Sequence, residues 1–277
     1  MPTIEDNKSM WERTYPWDQR GDGWSKGWGG VSMQWYGSIY PRIHSFLPTQ
    51  TALEIGPGFG RWTHFLKDIC TKLILVDLSG KCIEECKRRF EDCSHITYFV
   101  NDGKSLDMVC DDSVDFVFSF DSLVHVEEDV IYAYVTQFSR KLKQNGIAFI
   151  HHSNLGEYST YFQINSLMRK IPKLRGLLIR FGVDDVIRQW RAPTMSANKM
   201  VSSCEKNDLK CISQELITWS TRRVLIDCIS IIARKGSRWE RDNILFRNAS
   251  FMQEASYLSK IYRLYGTLQQ KSNRKGI

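Results

Sequence analysis

The sequence lacks a membrane-length apolar run, a cysteine pair with metal-binding spacing and a secretory leader. No stretch of about 18 uncharged apolar residues occurs in the 277 residues, which argues against a spanning helix. Residues 1–6 have neither a basic nor an apolar region, so no secretory signal is expected. The eight cysteines are scattered without a CxxC pair. We therefore expect free thiols in a cytoplasmic protein, and no metal.

The net positive charge is small outside the C-terminal part of the chain. The net charge is +7, and residues 238–277 hold eight basic and three acidic side chains, a net of +5. The remaining 237 residues therefore carry only +2. A nucleic-acid-binding surface extends a basic field over one face of a protein. We therefore expect no nucleic acid among the partners.

Tryptophan and glycine are concentrated in residues 1–50. Five of the nine tryptophans lie there, at positions 11, 17, 24, 28 and 35, among glycines at 21, 23, 27, 29 and 30. Rigid aromatic side chains on a glycine-rich backbone suit a segment that folds over a ligand. This pattern predicts either a lid over a binding site or an N-terminal extension packed on the core.

From residue 51 onward, apolar runs alternate with helical patterns as in α/β proteins. Short apolar runs predict strands at 51–55, 72–77, 95–100, 114–120, 147–151, 209–219 and 224–233. Helical spacing predicts helices at 60–69, 79–90, 127–142 and 196–207. This alternation indicates a mostly parallel seven-stranded sheet with helices on both faces, closed by a terminal antiparallel hairpin. The domain spans residues 51–237 and carries a cap insertion at about 154–195.

The first predicted strand runs into closely spaced glycines. Glu54-Ile55-Gly56-Pro57-Gly58-Phe59-Gly60 places an acid two residues before a G-x-G-x-G turn. Such a turn lets a ligand approach the backbone closely. Asp77 ends the next strand, 21 residues after Gly56, where an acid accepts hydrogen bonds from ribose hydroxyls. Arg61 stands where the dinucleotide fingerprint has a third glycine, which argues against an NAD-dependent dehydrogenase.

These motifs resemble those of class I S-adenosylmethionine-dependent methyltransferases, which have a Rossmann-like fold. Residues 54–60 resemble the first motif of that family, and Val76-Asp77-Leu78-Ser79 resembles the second. Asn101-Asp102-Gly103 is similar to the turn that contacts adenine, and residues 118–121 to the segment beside the methionine part. The resemblance implies S-adenosylmethionine as cofactor. It implies these cofactor-binding residues: Glu54, Gly56, Gly58, Asp77, Leu78, Asp102, Gly103 and Phe120.

Two further stretches resemble sugar and glycan O-methyltransferases of bacterial polysaccharide clusters. They are residues 119–126 and His151-His152-Ser153-Asn154. The resemblance implies a sugar or glycan acceptor, which could be anionic or lipid-linked. A small-molecule amine or carboxylate acceptor, and a catalytically silent cofactor-binding subunit, stay open as alternatives.

A hydroxyl acceptor benefits from a general base, and histidine is suited to this role. His125 follows the fourth predicted strand, and His151 and His152 end the fifth, so all three lie at the carboxyl edge of the sheet. Successive strand residues point to opposite faces, so only one of His151 and His152 is expected to face the acceptor. We rank the bases His152, His125 and His151, and expect Asp121 to orient the active imidazole.

The insertion and the tail complete the predicted assignments. Insertions after the fifth strand commonly form part of the acceptor pocket in this superfamily, and the segment 168–191 is basic. We expect Trp28, Asn154 and Arg191 to contact the acceptor. In the tail, 238–277, apolar residues recur at helical spacing beside basic ones. This helix predicts a peripheral membrane contact, self-association, or packing on its own domain.

Overall fold

The computed structural model describes residues 3–160, 190–219 and 224–266, with one eight-stranded sheet at the centre. The strands are β1 (Thr49–Ile55), β2 (Cys70–Asp77), β3 (Ile96–Val100), β4 (Val114–Ser119), β5 (Leu142–Ser153), β6 (Leu209–Ile217), β7 (Asp227–Arg234) and β8 (Ile244–Asn248). Their order across the sheet is β3-β2-β1-β4-β5-β7-β6-β8.

All of these strands run parallel except β7, which is antiparallel to both of its neighbours. The chain reverses its direction of progress across the sheet between β1 and β4, because β2 and β3 lie on one side of β1 and the later strands on the other. In open α/β sheets, ligands bind beyond the carboxyl ends of the strands at such a switch point. The fold therefore places a ligand site after β1 and β4.

Both faces of the sheet are covered, as the near-continuous apolar strands predict. Along β2, Leu73 and Leu75 belong to one hydrophobic cluster, and Ile74 and Val76 to the other. The strand sequence alternates between faces with period two, so it supplies both layers at once.

The helices of the domain are mostly short. They are α1 (Ile4–Ser9), α2 (Val31–Gln34), α3 (Tyr40–Ile43), α4 (Thr63–Leu66), α5 (Gly80–Arg89), α6 (Glu128–Lys141), α7 (Ala197–Glu205) and α8 (Phe251–Gly266). The side chains of Ser79 and Ser196 accept backbone N–H groups at the starts of α5 and α7, as N-cap residues do. A 3₁₀ stretch, Asp18–Trp28, precedes α2.

The α/β fold with helices on both faces is confirmed, but the prediction of seven strands was wrong. The eighth strand, β8, lies in the tail and pairs with β6 in parallel, so the β6–β7 pair does not end the sheet. No alternation marked this strand, because Ile244, Leu245 and Phe246 are consecutive apolar residues and all three are exposed.

The tail continues from β8 into α8 and packs back on the domain. Phe251 and Ala255 of α8 are buried in the larger hydrophobic cluster. The guanidinium of Arg42 in α3 donates hydrogen bonds to the carboxylates of Glu215 in β6 and Glu254 in α8. One partly buried guanidinium therefore joins the N-terminal region, the sheet and the tail.

No helix within residues 3–160, 190–219 and 224–266 is long and apolar enough to span a membrane. Residues 168–189 of the predicted basic segment lie outside the described residues. The basic residues of the tail after position 266 also lie outside them.

Candidate active site

One cavity lies at the carboxyl ends of β1, β2 and β4, where the topology places a ligand. Many of the residues predicted for the cofactor and acceptor line it together: Gly56, Gly58, Asp77, Leu78, Gly103, Phe120, Asp121, His125 and Arg191. Glu54, Asp102, His151, His152, Asn154 and Trp28 are not among its described lining residues.

The glycine turn after β1 has a backbone conformation that favours glycine. Gly56 and Gly58 have φ angles of 70° and 56°, in the left-handed region. A Cβ atom at Gly58 would also come within 2.8 Å of the Trp17 ring. The absence of side chains at Gly56 and Gly58 therefore makes room for Ser122 and the Trp17 ring.

Asp77 ends β2 and holds the turn in place. Its Oδ2 accepts the N–H of Gly58 at 3.1 Å, and its Oδ1 accepts the N–H of Ser79 at 2.8 Å. Burial raises the pKa of Asp77 to about 6, although these backbone N–H groups stabilise the charged form. Each oxygen keeps a second lone pair, so the carboxylate can accept two hydroxyl groups.

Leu78 and Gly103 form an apolar end of the cavity. A Cβ atom at Gly103 would lie 2.9 Å from the Ile4 side chain and 3.2 Å from that of Leu78. Asp102, which the resemblance assigned to adenine, is exposed and accepts the backbone N–H groups of Lys104 and Ser105. Asp102 therefore shapes the turn that presents Gly103.

Glu54 lies beneath the glycine turn and is fully buried. Its Oε2 accepts the hydroxyl of Thr63 at 2.6 Å, and its Oε1 has no hydrogen-bond partner among the described residues. Burial raises its pKa to about 8. A protonated Glu54 is therefore the dominant form at neutral pH, and it supports the turn from below.

A buried charge network follows β4. Asp121 has a left-handed φ of 63° and binds Arg61 at 3.0 Å. Arg191 lies 3.6 Å from Asp121 and donates from Nε to both oxygens of Asp227 at 3.1 and 3.0 Å. Burial opposes ionisation of Asp121, but the arginines hold its pKa below the usual value. Asp121 is therefore an ionised anchor for two arginines.

His151 is part of this network and not of the cavity wall. Its Nδ1 accepts the backbone N–H of Asp121 at 3.0 Å, and its Nε2 lies 3.2 Å from Asp227. Because an N–H donor occupies Nδ1, the proton of the neutral ring is on Nε2 and faces Asp227. His151 thus fixes the backbone of Asp121 and has no free lone pair.

His125 presents the opposite arrangement. Its Nδ1 lies 2.6 Å from the carbonyl oxygen of Trp190, which can only accept, so Nδ1 carries the proton. Nε2 therefore holds the lone pair, and it has no hydrogen-bond partner among the described residues. Burial, and next the Arg191 charge, lower the pKa of His125 to about 4. The imidazole is neutral at neutral pH and lines the cavity.

His152, Asn154 and Trp28 lie elsewhere. His152 is fully buried, with Nδ1 2.9 Å from the Ser153 carbonyl oxygen and Nε2 2.8 Å from the Ser230 hydroxyl. Asn154 binds the backbone of Leu225 and Ala197. Trp28 is buried in the larger hydrophobic cluster. Adjacent strand residues face opposite sides of the sheet, which separates His152 from His151.

Aromatic residues of the N-terminal segment cover the cavity. Trp17 stacks on Phe59 of the glycine turn, with ring centroids 4.2 Å apart and an angle of 5° between the rings. Trp11 lies 5.3 Å from the His125 ring, and the side chain of Asn7 donates to the His125 carbonyl oxygen. The residues before α2 therefore form a wall of the site.

Sequence reasoning missed several residues of the site. Arg61 was weighed only as a departure from the dinucleotide motif, although it pairs with Asp121. Asp227 begins β7, and nothing in the sequence indicates that it is buried opposite β5 beside Arg191. A polar residue at the start of an apolar strand was the one available signal.

The residues of the cavity fit S-adenosylmethionine. Gly58 makes room for the Trp17 ring over the turn, and Asp77 offers two acceptor oxygens to a diol. Leu78 and Gly103 provide apolar surface for a flat base. A glycine turn, an acid and an apolar end in this order match a ligand with an amino-acid end, a ribose and a base.

Comparisons with known proteins point to a methyltransferase domain within this chain. Residues 52–146 match a family model described as a methyltransferase domain. A stretch of 59 residues is 34% identical to ribosomal RNA small subunit methyltransferase A of Coxiella burnetii. That stretch spans 21% of this chain and 23% of the relative, so the chain matches about a quarter of that protein's length.

Solved structures share the fold at low sequence identity. A S-adenosylmethionine-dependent methyltransferase from Leishmania major is 14% identical, covering 83% of this chain and 82% of that protein with a TM-score of 0.56. The PH0226 protein from Pyrococcus horikoshii is also 14% identical, covering 82% and 96% with a TM-score of 0.53. Residues 52–146 of this chain thus match a methyltransferase domain, and the fold around them is shared with these solved structures.

Proposed function

We propose that the protein transfers the methyl group of S-adenosylmethionine to a hydroxyl group of a sugar or glycan intermediate, with His125 as the general base. The observation that carries this proposal is the state of His125. A neutral imidazole lines the cavity with its Nδ1 proton bound to the Trp190 carbonyl oxygen and its Nε2 lone pair without a described partner. A base held in one tautomer suits proton removal from a hydroxyl.

Bound S-adenosylmethionine would supply an electrophilic methyl group, and the electron pair of the C–S bond would leave with the sulfur. The acceptor oxygen forms the new bond to carbon, and Nε2 of His125 takes the hydroxyl proton. Asp77 and the glycine turn hold the ribose and amino-acid parts, which fixes the methyl group relative to the acceptor. The ion pairs of Asp121 with Arg61 and Arg191 keep their part of the cavity wall polar and rigid.

The character of the cavity supports a sugar acceptor. Its lining combines tryptophan rings (Trp11, Trp17, Trp24 and Trp62) with the guanidinium groups of Arg20, Arg61 and Arg191. Sugar rings have apolar C–H faces and polar edges, which match aromatic walls and fixed donors. The arginines would also bind a carboxylate or phosphate group on the acceptor molecule.

An RNA acceptor, suggested by the short similarity to a ribosomal RNA methyltransferase, has less support. Residues 1–237, which include the whole matched domain, carry a net charge of +2. RNA binding relies on phosphate neutralisation by many basic side chains. A carboxylate acceptor has no proton to lose, and a silent cofactor-binding subunit transfers no methyl group, so both would leave His125 without a role in proton transfer. A small-molecule amine acceptor is distinguished by the products of the acceptor screen.

A screen of candidate acceptors by mass spectrometry tests the proposal directly. The purified chain with S-adenosylmethionine should add one methyl group to a sugar or glycan, and the product should be an ether. His125→Ala should lower turnover by at least about a hundredfold while leaving cofactor affinity nearly unchanged. His152→Ala is the matched control, since His152 does not line the cavity. Methylation of amines or RNA but not of sugars, or near-native turnover of His125→Ala, would contradict the proposal.

A further inference from the structure

The two edges of the sheet differ in how much apolar surface they expose. β3 forms one edge, and its one exposed apolar side chain in the described strand is Val100 at the carboxyl end. β8 forms the other edge, and there Ile244, Leu245 and Phe246 are 58%, 50% and 58% exposed. Successive strand residues point to opposite faces, so β8 exposes apolar side chains on both of its faces.

The outer edge of β8 lacks residues that keep edge strands from pairing with other chains. Proline and lysine are two of the residues that protect such edges in natural proteins. Residues 240–248 contain neither, and their two acidic and two basic side chains cancel in charge. β6 pairs with one side of β8, and no described strand pairs with the other side. The backbone groups on that side are therefore available to an incoming strand.

A second copy of β8 complements this edge in an antiparallel register centred on Leu245. When Leu245 lies opposite its own counterpart, Ile244 lies opposite Phe246 on both sides of the two-fold axis. Arg247 then faces Asn243, and no charge lies opposite a like charge. A register centred on Phe246 would set Leu245 against Arg247, and one centred on Ile244 would set one arginine against another. The side-chain pattern therefore favours the register centred on Leu245.

We propose that the protein forms a two-fold symmetric dimer in which β8 of one copy pairs antiparallel with β8 of the other. The pairing covers the exposed apolar side chains and joins the two sheets into one. β8 runs in the same direction as β1 and β4, whose carboxyl ends carry the cavity. Antiparallel pairing therefore places the two cavities at opposite ends of the joined strands. This inference applies whichever acceptor and base the protein uses.

Cysteine cross-linking tests both the contact and its register. Directly opposite residues of an antiparallel pair have Cβ atoms about 4.5–5.5 Å apart, which a disulfide can bridge after a small adjustment. Leu245→Cys should therefore form a covalent dimer on mild oxidation, detected by non-reducing electrophoresis. Phe246→Cys is the matched control, because its counterpart lies two positions farther along the partner strand and should cross-link much less. The parent chain gives the background from its own cysteines, of which Cys110 is exposed.

Sedimentation velocity measures the association without a cross-link. The parent chain should sediment as a dimer, and Leu245→Lys should weaken the dimer at least about a hundredfold, because it sets two ammonium groups opposite each other. Val100→Lys is the control at the other edge of the sheet and should leave the dimer intact. A monomeric parent chain, as expected if another part of the same chain covers β8, would overturn the proposal. So would a dimer that Leu245→Lys leaves unchanged, or cross-linking of Leu245→Cys no faster than that of the parent.

Discussion

At the scale of single residues, the site depends on which side chains are charged. Glu54 and Asp77 end neighbouring strands and are both buried, yet they differ in their partners. Asp77 accepts two backbone N–H groups, and its pKa is raised to about 6, whereas Glu54 binds one hydroxyl and its pKa is raised to about 8. At neutral pH, the ionised Asp77 can bind a ligand while Glu54 is mostly neutral.

This difference predicts a pH dependence of cofactor binding. Asp77 must be ionised to accept both ribose hydroxyls, and its pKa lies at about 6 in the unliganded protein. Affinity for S-adenosylhomocysteine should therefore be constant above about pH 7 and fall as the pH drops through 6, approaching tenfold per pH unit. Titration calorimetry from pH 5 to 8 measures it, and Asp77→Asn should bind weakly at every pH. A flat profile for the parent protein would contradict this assignment.

The sequence indicated which residues gather at the glycine turn better than it indicated the surroundings of the histidines. Asp77 and Gly58 belong to one local pattern, strand then turn, so their spacing indicates their neighbourhood. The surroundings of the histidines depend on the face of the strand to which each side chain points and on contacts with residues distant in the sequence. That His125 keeps a free lone pair follows from its contact with Trp190, which spans 65 positions of the chain. That His151 has none follows from its contacts with Asp121 and Asp227, which span 30 and 76 positions.

At the scale of elements, the segment before α2 has an unusual backbone. Trp17, Gln19 and Arg20 have φ angles of 51°, 53° and 55°, and Gly21 has 78°. A left-handed conformation costs a non-glycine residue roughly 1–2 kcal/mol. Such strain persists where surrounding contacts hold the conformation in place. Here the stacking of Trp17 on Phe59 holds one end of the strained stretch. This stretch is the place where the segment can open.

The predicted lid function of this segment follows from the same contacts. S-adenosylhomocysteine should tie the segment to the cavity, so limited proteolysis within residues 15–35 should slow when the ligand is added. Electrophoresis of timed samples measures the rate, with cleavage at a site outside the segment as the internal reference. Equal cleavage of residues 15–35 with and without ligand would show that the segment is a fixed wall and not a lid.

At the scale of the whole molecule, the tail is an integral part of the fold. It adds an eighth strand to the sheet, and Phe251 packs edge-to-face on Trp28 and Trp219. Leu258 and Tyr262 of α8 lie against two glycines of the N-terminal region, where a Cβ atom would come within 2.5 and 2.6 Å. The tail therefore supports the base of the segment that covers the site.

Removal of the Phe251 ring should accordingly destabilise the entire chain. Phe251 is 1% exposed, and large-to-small substitutions at such sites cost about 3–5 kcal/mol. Urea unfolding of Phe251→Ala should show this loss in the free energy of unfolding. Tyr265→Ala in the same helix is the control, since Tyr265 is 72% exposed and should change stability by less than about 0.5 kcal/mol. Equal stability of both variants would mean that the tail is an independent appendage.

The fold of residues 51–237 was predictable because its strands and helices alternate at regular spacing. The tail strand was not, since Ile244, Leu245 and Phe246 neither alternate nor become buried. The length of α4 was also overestimated, because the glycine turn extends to residue 62 before Thr63–Leu66 becomes helical. Both differences arise from tertiary contacts that override local patterns.

The stack of Trp17 on Phe59 also has a kinetic consequence. Trp17 covers the glycine turn and Trp11 contacts His125, and both belong to one continuous stretch of chain. We therefore expect cofactor entry and product departure to share a single opening event with acceptor exchange. Such an event is slow compared with bond formation in many enzymes, and it then sets the maximum turnover rate. For this protein, the rate-limiting step would be a movement of tryptophan side chains and not the transfer of the methyl group.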